Sequence, residues 1–169
     1  RWDLLEMGMF LDSANKVKNN SESIEITQKR KLKFQIPFEK NISKFSQSDI
    51  QPLYDSLKLQ RYDIKHIEIR AFSSVEGSTK RNIKLQEERA QSIITALNQI
   101  QQKEIPQTVT AKENWVEFYR DIERTKYKNL SKKEPAQIKE ALKEKKLTAE
   151  LEPLLNKERR AVIYLTLER

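Results

Sequence analysis

The chain has 169 residues and a net charge of +8, with 37% hydrophobic and 34% charged residues. That composition suits one folded domain with a modest core, and no run approaches the roughly twenty apolar residues of a membrane-spanning helix. With no cysteine and a single histidine, disulfides, thiol nucleophiles and cysteine metal sites are excluded.

Acidic residues are interspersed with basic ones almost everywhere. The positive charge therefore reads as a solvated surface, and nucleic acid is not an expected partner. The N-terminus, Arg-Trp-Asp, lacks the basic and apolar regions of a signal peptide, and the chain reads as a piece of a longer protein.

Trp2 to Lys18 carries apolar residues whose spacing fits a short helix or a strand equally well. Ile24–Thr27 and Leu32–Ile36 alternate with period two around the polar Gln28-Lys-Arg30, which predicts a hairpin closed by Pro37. Residues 1–30 are expected to form an N-terminal extension packed on a domain spanning 31–169.

Ser48, with Gln51 three residues on, predicts the capped start of a helix that ends near Gln60, with Pro52 in its first turn. Lys65–Ser73 is a strand. Thr79–Gln101 is a helix with an inner stripe of Ile83, Ala90, Ile93, Ile94, Leu97 and Ile100. A short strand, Thr108–Thr110, follows Pro106.

Glu113–Lys146 carries one amphipathic helical pattern at Trp115, Val116, Phe118, Tyr119 and Ile122. A second, at Ile138, Leu142 and Leu147, opens at Pro135. The last strand, Ala161–Leu167, is almost wholly apolar or β-branched, as in a central strand buried on both faces. Strand and helix periods alternate along one α+β domain.

The segment Ser73 to Ala90 reads Ser-Ser-Val-Glu-Gly-Ser-Thr-Lys-Arg-Asn-Ile-Lys-Leu-Gln-Glu-Glu-Arg-Ala. It resembles the signature of the OmpA-like peptidoglycan-binding domain, with Gly77, Ser78, Asn82, Leu85, Arg89 and Ala90 in register. Phe38-Glu-Lys-Asn41 is similar to that family's F-x-x-N, and Arg159-Arg160-Ala-Val-Ile to its lead into the last strand. The resemblance covers Leu32 to Leu167 and implies a β-α-β-α-β(-α)-β mixed sheet with two main helices on one face. Where the family has a G-x-G-E-x-x-P loop, this chain has Ala111-Lys-Glu113-Asn-Trp115 and a helical insertion spanning residues 113–154. It looks like a diverged member of the kind expected in Bacteroidetes.

The resemblance also implies a chemistry. In the family an aspartate and an arginine hold diaminopimelate of the peptidoglycan stem peptide. The guanidinium forks onto a carboxylate through charge-assisted hydrogen bonds, and the aspartate takes the neighbouring ammonium. Arg89 matches the arginine and Asn82 the residue that ties the turn to the helix, but Ser74 stands at the aspartate position. Restoring an aspartate there is expected to regain about tenfold in affinity. Glu76 is a candidate substitute, and Gly77, lacking a Cβ, admits a close approach.

Ser73, Ser74, Glu76, Gly77, Asn82, Arg89 and Asn41 are therefore the candidate ligand-binding residues. The implied function is noncovalent peptidoglycan binding by a cell-envelope protein on the periplasmic side of the outer membrane. The alternative is a degenerate module of the same fold serving protein–protein assembly in the envelope. No nucleophile–base pair or metal cluster is evident, so neither an enzyme nor a cofactor nor a metal is expected.

Overall fold

A computed structural model describes residues 29–60 and 62–168. The expected Trp2–Lys18 element and the Ile24–Thr27 strand lie outside the described residues. The chain runs β1 (Lys29–Pro37), α1 (Gln47–Gln60), β2 (Asp63–Ser73), α2 (Thr79–Gln101), β3 (Gln107–Glu113), α3 (Trp115–Ile122), a 3₁₀ turn (Lys128–Lys132), α4 (Pro135–Ala141), α5 (Lys145–Glu158) and β4 (Arg160–Glu168).

The strands form one mixed sheet in the order β1-β4-β2-β3, with β4 antiparallel to both neighbours and β3 parallel to β2. This is an α+β architecture. One hydrophobic core joins Leu32, Phe34 and Ile36 of β1, Ile67, Ile69 and Ala71 of β2, and Ile163, Leu165 and Leu167 of β4. The same core takes Ile50, Leu53 and Leu57 from α1 and Ala90, Ile93, Ile94 and Leu97 from α2. Both helices therefore cover the same face of the sheet, as period-two strands with one apolar face require.

Several expectations are corrected in detail. Lys29 and Arg30, read as turn residues, pair with Glu168 and Leu167 inside β1. Helix α1 starts two residues early because Ser46, not Ser48, is the cap. The Ser46 hydroxyl accepts from the Asp49 N–H at 3.2 Å and lies 2.5 Å from the Asp49 carboxylate. Gln51 donates to Asp55 instead of back-capping, and Pro52 falls in the second turn.

In α2, Ile83 is only half-buried and Ile100 is exposed, while Gln86 and Arg89 are buried. The N-terminal part of this helix faces a polar site and not the core. Strand β4 is central, and its second face is buried only in part. Ala161, Ile163, Leu165 and Leu167 face the helices, whereas on the other side Val162 is buried and Tyr164 and Thr166 lie half-exposed. That side is covered in part by cations lying on rings: Arg70 over Tyr164, and Arg160 and Lys112 over Phe72.

The segment expected to be an insertion, residues 113–154, shares a second small core with its neighbours: Phe118, Ile122, Leu130, Ile138, Leu142 and Leu151 pack with Leu155 just beyond it and with Val75 after β2 as a plug. Val116, expected on the apolar stripe, points out at 80% exposure. The expected second helix is two helices: Leu142 ends α4, and the chain re-enters helix at Lys145 before Leu147. No helix among the described residues is long and apolar enough to cross a membrane.

Candidate functional site

A cleft of about 950 Å³ opens at the C-terminal end of β2. One wall is the β1–α1 loop, the turn after β2 and the first turns of α2. The other is made by α4, α5 and Arg159. The insertion thus supplies half of the site. Ser73, Ser74, Glu76, Gly77, Asn82, Arg89 and Asn41 all line this cleft.

The turn is held from several sides. Ser78 caps α2, its hydroxyl accepting from the Arg81 N–H at 3.5 Å. Gly77 adopts φ +79°, a left-handed conformation that costs an L-residue about 1–2 kcal/mol. A Cβ there would meet nothing within 4 Å. Among this chain's own atoms, it is the backbone angle that calls for glycine at the position.

Asn82 Nδ2 donates to the Glu76 carbonyl at 2.8 Å, the Ser74 carbonyl at 3.3 Å and Glu113 Oε1 at 2.8 Å. Lys139, from α4, donates to the carbonyls of Val75 (2.8 Å) and Gly77 (2.6 Å) and to Glu113 Oε1 (2.7 Å). Glu113 also accepts from Thr79 and Trp115 through Oε2, and its side chain is 5% exposed. Sequence reasoning missed both Glu113 and Lys139. Each is one charged residue in a charged chain, and only the parallel register of β3 on β2, Glu113 opposite Ser73, brings the glutamate to the turn.

Arg89 is 1% exposed. Its Nε donates to the Ile42 carbonyl at 2.7 Å, Nη2 to the Glu39 carbonyl at 2.8 Å and Nη1 to Gln86 Oε1 at 3.2 Å. The Phe38 ring lies 4.7 Å from the guanidinium carbon. Asn41, at φ 58°, curls the loop that presents those two carbonyls, a conformation asparagine tolerates better than most residues. Two of the stretches that carry the resemblance, Phe38–Asn41 and the one that contains Arg89, therefore meet in space. Burial and the nearby Arg159 push the Arg89 pKa down to about 10, so the group stays charged at neutral pH.

Ser74, 5% exposed, accepts from Arg159 Nε at 3.2 Å. Arg159 also bonds Glu76 Oε1 at 2.6 Å and both oxygens of Glu152, at 2.6 and 3.1 Å. Burial pulls its pKa down, but the Glu152 and Glu76 carboxylates lift it above the ordinary value. Glu76 does reach the opening beside Ser74, its side chain 11% exposed, and its other oxygen meets Lys40 at 3.3 Å. The Ser73 hydroxyl is buried without a partner among the described residues.

Against known proteins, the chain matches no family model and no curated protein. Among solved structures it is similar to the OmpA-like domain of FopA1 from Francisella tularensis subsp. tularensis SCHU S4. The identity is 13% and the TM-score 0.42, over 86% of this chain and 77% of that one.

Proposed function

We propose that this domain is a non-catalytic OmpA-like binding module of the cell envelope, and that its cleft attaches the parent protein noncovalently to peptidoglycan on the periplasmic side. The observation that supports this reading most strongly is Arg89. It is a buried guanidinium in register with the signature arginine, lining an open cleft at a strand end with no carboxylate within ion-pair distance among the described residues. A buried cation without a counter-charge is costly unless a ligand supplies one.

Co-sedimentation with purified cell-wall sacculi is the test. The protein is expected in the pellet at physiological salt, and recovery wholly in the supernatant overturns the reading. A second reading, envelope assembly through protein contacts, is favoured by one specific observation. The serine at the aspartate position is already engaged by Arg159, and the carboxylate beside it, Glu76, is itself paired with Arg159 and Lys40, which leaves no free counter-charge for a ligand ammonium there. A protein that ignores sacculi supports this second reading.

A further inference from the structure

The two edges of the sheet are built differently. β1 carries Lys29, Arg30, Lys31 and Lys33 and ends on Pro37, the charges and proline that keep a bare edge from pairing with another chain. β3, Gln-Thr-Val-Thr-Ala-Lys-Glu, has no proline, and its register on β2 runs without a bulge. Its one cation, Lys112, is drawn over the Phe72 ring. Thr108, Val109 and Thr110 at its centre are all β-branched and all exposed, Val109 at 39%.

The backbone of β3 has a fixed phase. Ile67 N–H donates to the Pro106 carbonyl at 2.9 Å ahead of the strand, and Asn114 N–H to the Ser73 carbonyl at 2.9 Å after it. Alternate residues bond inward in a parallel pair, so Thr108, Thr110 and Lys112 turn their N–H and C=O groups toward β2. Gln107, Val109, Ala111 and Glu113 turn theirs outward. Those outward main-chain groups have no hydrogen-bond partner among the described residues.

We propose that β3 is a homodimer edge: two copies add β3 to β3 antiparallel, with Thr110 facing its own counterpart across a two-fold axis, and join their four-stranded sheets into one. Of the antiparallel registers, this one uses every outward residue. Val109 exchanges both its bonds with Ala111 of the partner subunit, and Gln107 with Glu113 of the partner subunit. Charge agrees with it, since Lys112 falls opposite a threonine and Glu113 opposite a glutamine, and no like charges meet. Residues opposite each other share a face, so the helices of both copies lie on one side of the joined sheet. The two clefts then open at its opposite ends. None of this depends on what the cleft binds.

The chain has no cysteine, so a single introduced one reports the register. Thr110 meets its counterpart in a non-hydrogen-bonded pair, whose Cα atoms lie about 4.5 Å apart, within the span of a disulfide. Sedimentation equilibrium of the full chain at sub-millimolar concentration is expected to show a dimer. Mild oxidation should cross-link most of Thr110→Cys, and Thr108→Cys, opposite Lys112, at least about tenfold more slowly. Val109→Pro removes an outward donor but no bond to β2, and should give a monomer with unchanged circular dichroism. Thr110→Lys and Thr110→Glu leave the main chain intact. Each should weaken the dimer severalfold, and an equimolar mixture of the two should restore it.

A chain that stays monomeric at millimolar concentration overturns the proposal. Slow amide exchange at Val109 and Ala111 in that monomer would mean that another part of this chain covers the edge. Fast exchange would leave the edge to a strand of a different protein. A dimer that cross-links equally through positions 108 and 110, or that survives both Val109→Pro and Thr110→Lys, uses another surface and overturns the proposal as well.

Discussion

Ser74 shows how far one residue's role depends on its neighbours. By sequence it is a missing charge, and adding the charge back should recover an ammonium partner. In the structure its hydroxyl lies 3.2 Å from Arg159 Nε, so an aspartate at 74 would pair first with that guanidinium. A carboxylate already neutralised by a buried arginine has little left to offer a ligand cation. Ser74→Asp is therefore expected to leave diaminopimelate affinity within about threefold of the parent, and not to regain the tenfold that a free aspartate would give. Calorimetry on the two proteins distinguishes these outcomes. A tenfold gain would mean that Arg159 swings away when the ligand arrives.

At the scale of elements, the domain is a sheet-and-helix unit clipped to a helical insertion, and the clip is short. Val75 inserts into the insertion's core, Lys139 reaches back to the turn, and Arg160 pairs with Glu117 of α3. Lys139→Gln keeps a hydrogen-bonding side chain but leaves Glu113, whose side chain is 5% exposed, without its cation. Glu113 keeps its hydrogen bonds from Asn82, Thr79 and Trp115, and loss of the cation from this nearly buried carboxylate is expected to cost about 1–3 kcal/mol. The expected result is a lower urea midpoint together with faster amide exchange in Val75–Ser78 and α4, while exchange in the centre of β4 changes only with global stability. Unchanged exchange at the turn would show that Asn82 and the Ser78 cap hold it without Lys139.

What was legible in the sequence follows the same division. The bounds of α2 and the course of the sheet could be read because each is a local pattern: a contiguous turn signature before a helical stripe, or residues alternating every second position. The break between α4 and α5 could not, since Ile138, Leu142 and Leu147 form one stripe whether or not the chain re-caps between them. The wall contributed by the insertion was equally hidden. Arg159 meets Ser74 across 85 positions and Lys139 meets Gly77 across 62; the motif that marks Arg159 does not tell which residue it meets, and nothing local marks Lys139.

For the molecule as a whole, a pH dependence of stability is expected from a buried group that does not line the cleft. Glu158, at the end of α5, is 0% exposed, and neither of its oxygens makes a hydrogen bond of good geometry among the described residues, the Val75 backbone N–H being only a weak donor to it. Burial is the main cause that raises its pKa to about 9. The nearby Val75 main chain and Arg159 oppose that rise, and Glu117 and Asp121 of α3 add to it. The folded chain thus keeps a proton that the unfolded chain releases near the ordinary value of 4.5. Between those two values the folded state binds more protons than the unfolded one, so stability falls as pH rises through the window, by up to about 1.4 kcal/mol per pH unit. Glu117 and Glu152, whose carboxyls Arg160 and Arg159 hold low, act in the opposite sense. Their contribution is complete above about pH 4.5 and is lost only on further acidification. Urea unfolding from pH 5 to 8 should therefore show a declining midpoint in the parent chain. Glu158→Gln, which cannot ionise, should flatten that decline and be the more stable protein at pH 8. Parallel profiles for the two proteins would mean that Glu158 is charged in the folded state and that water or a shifted cation reaches it.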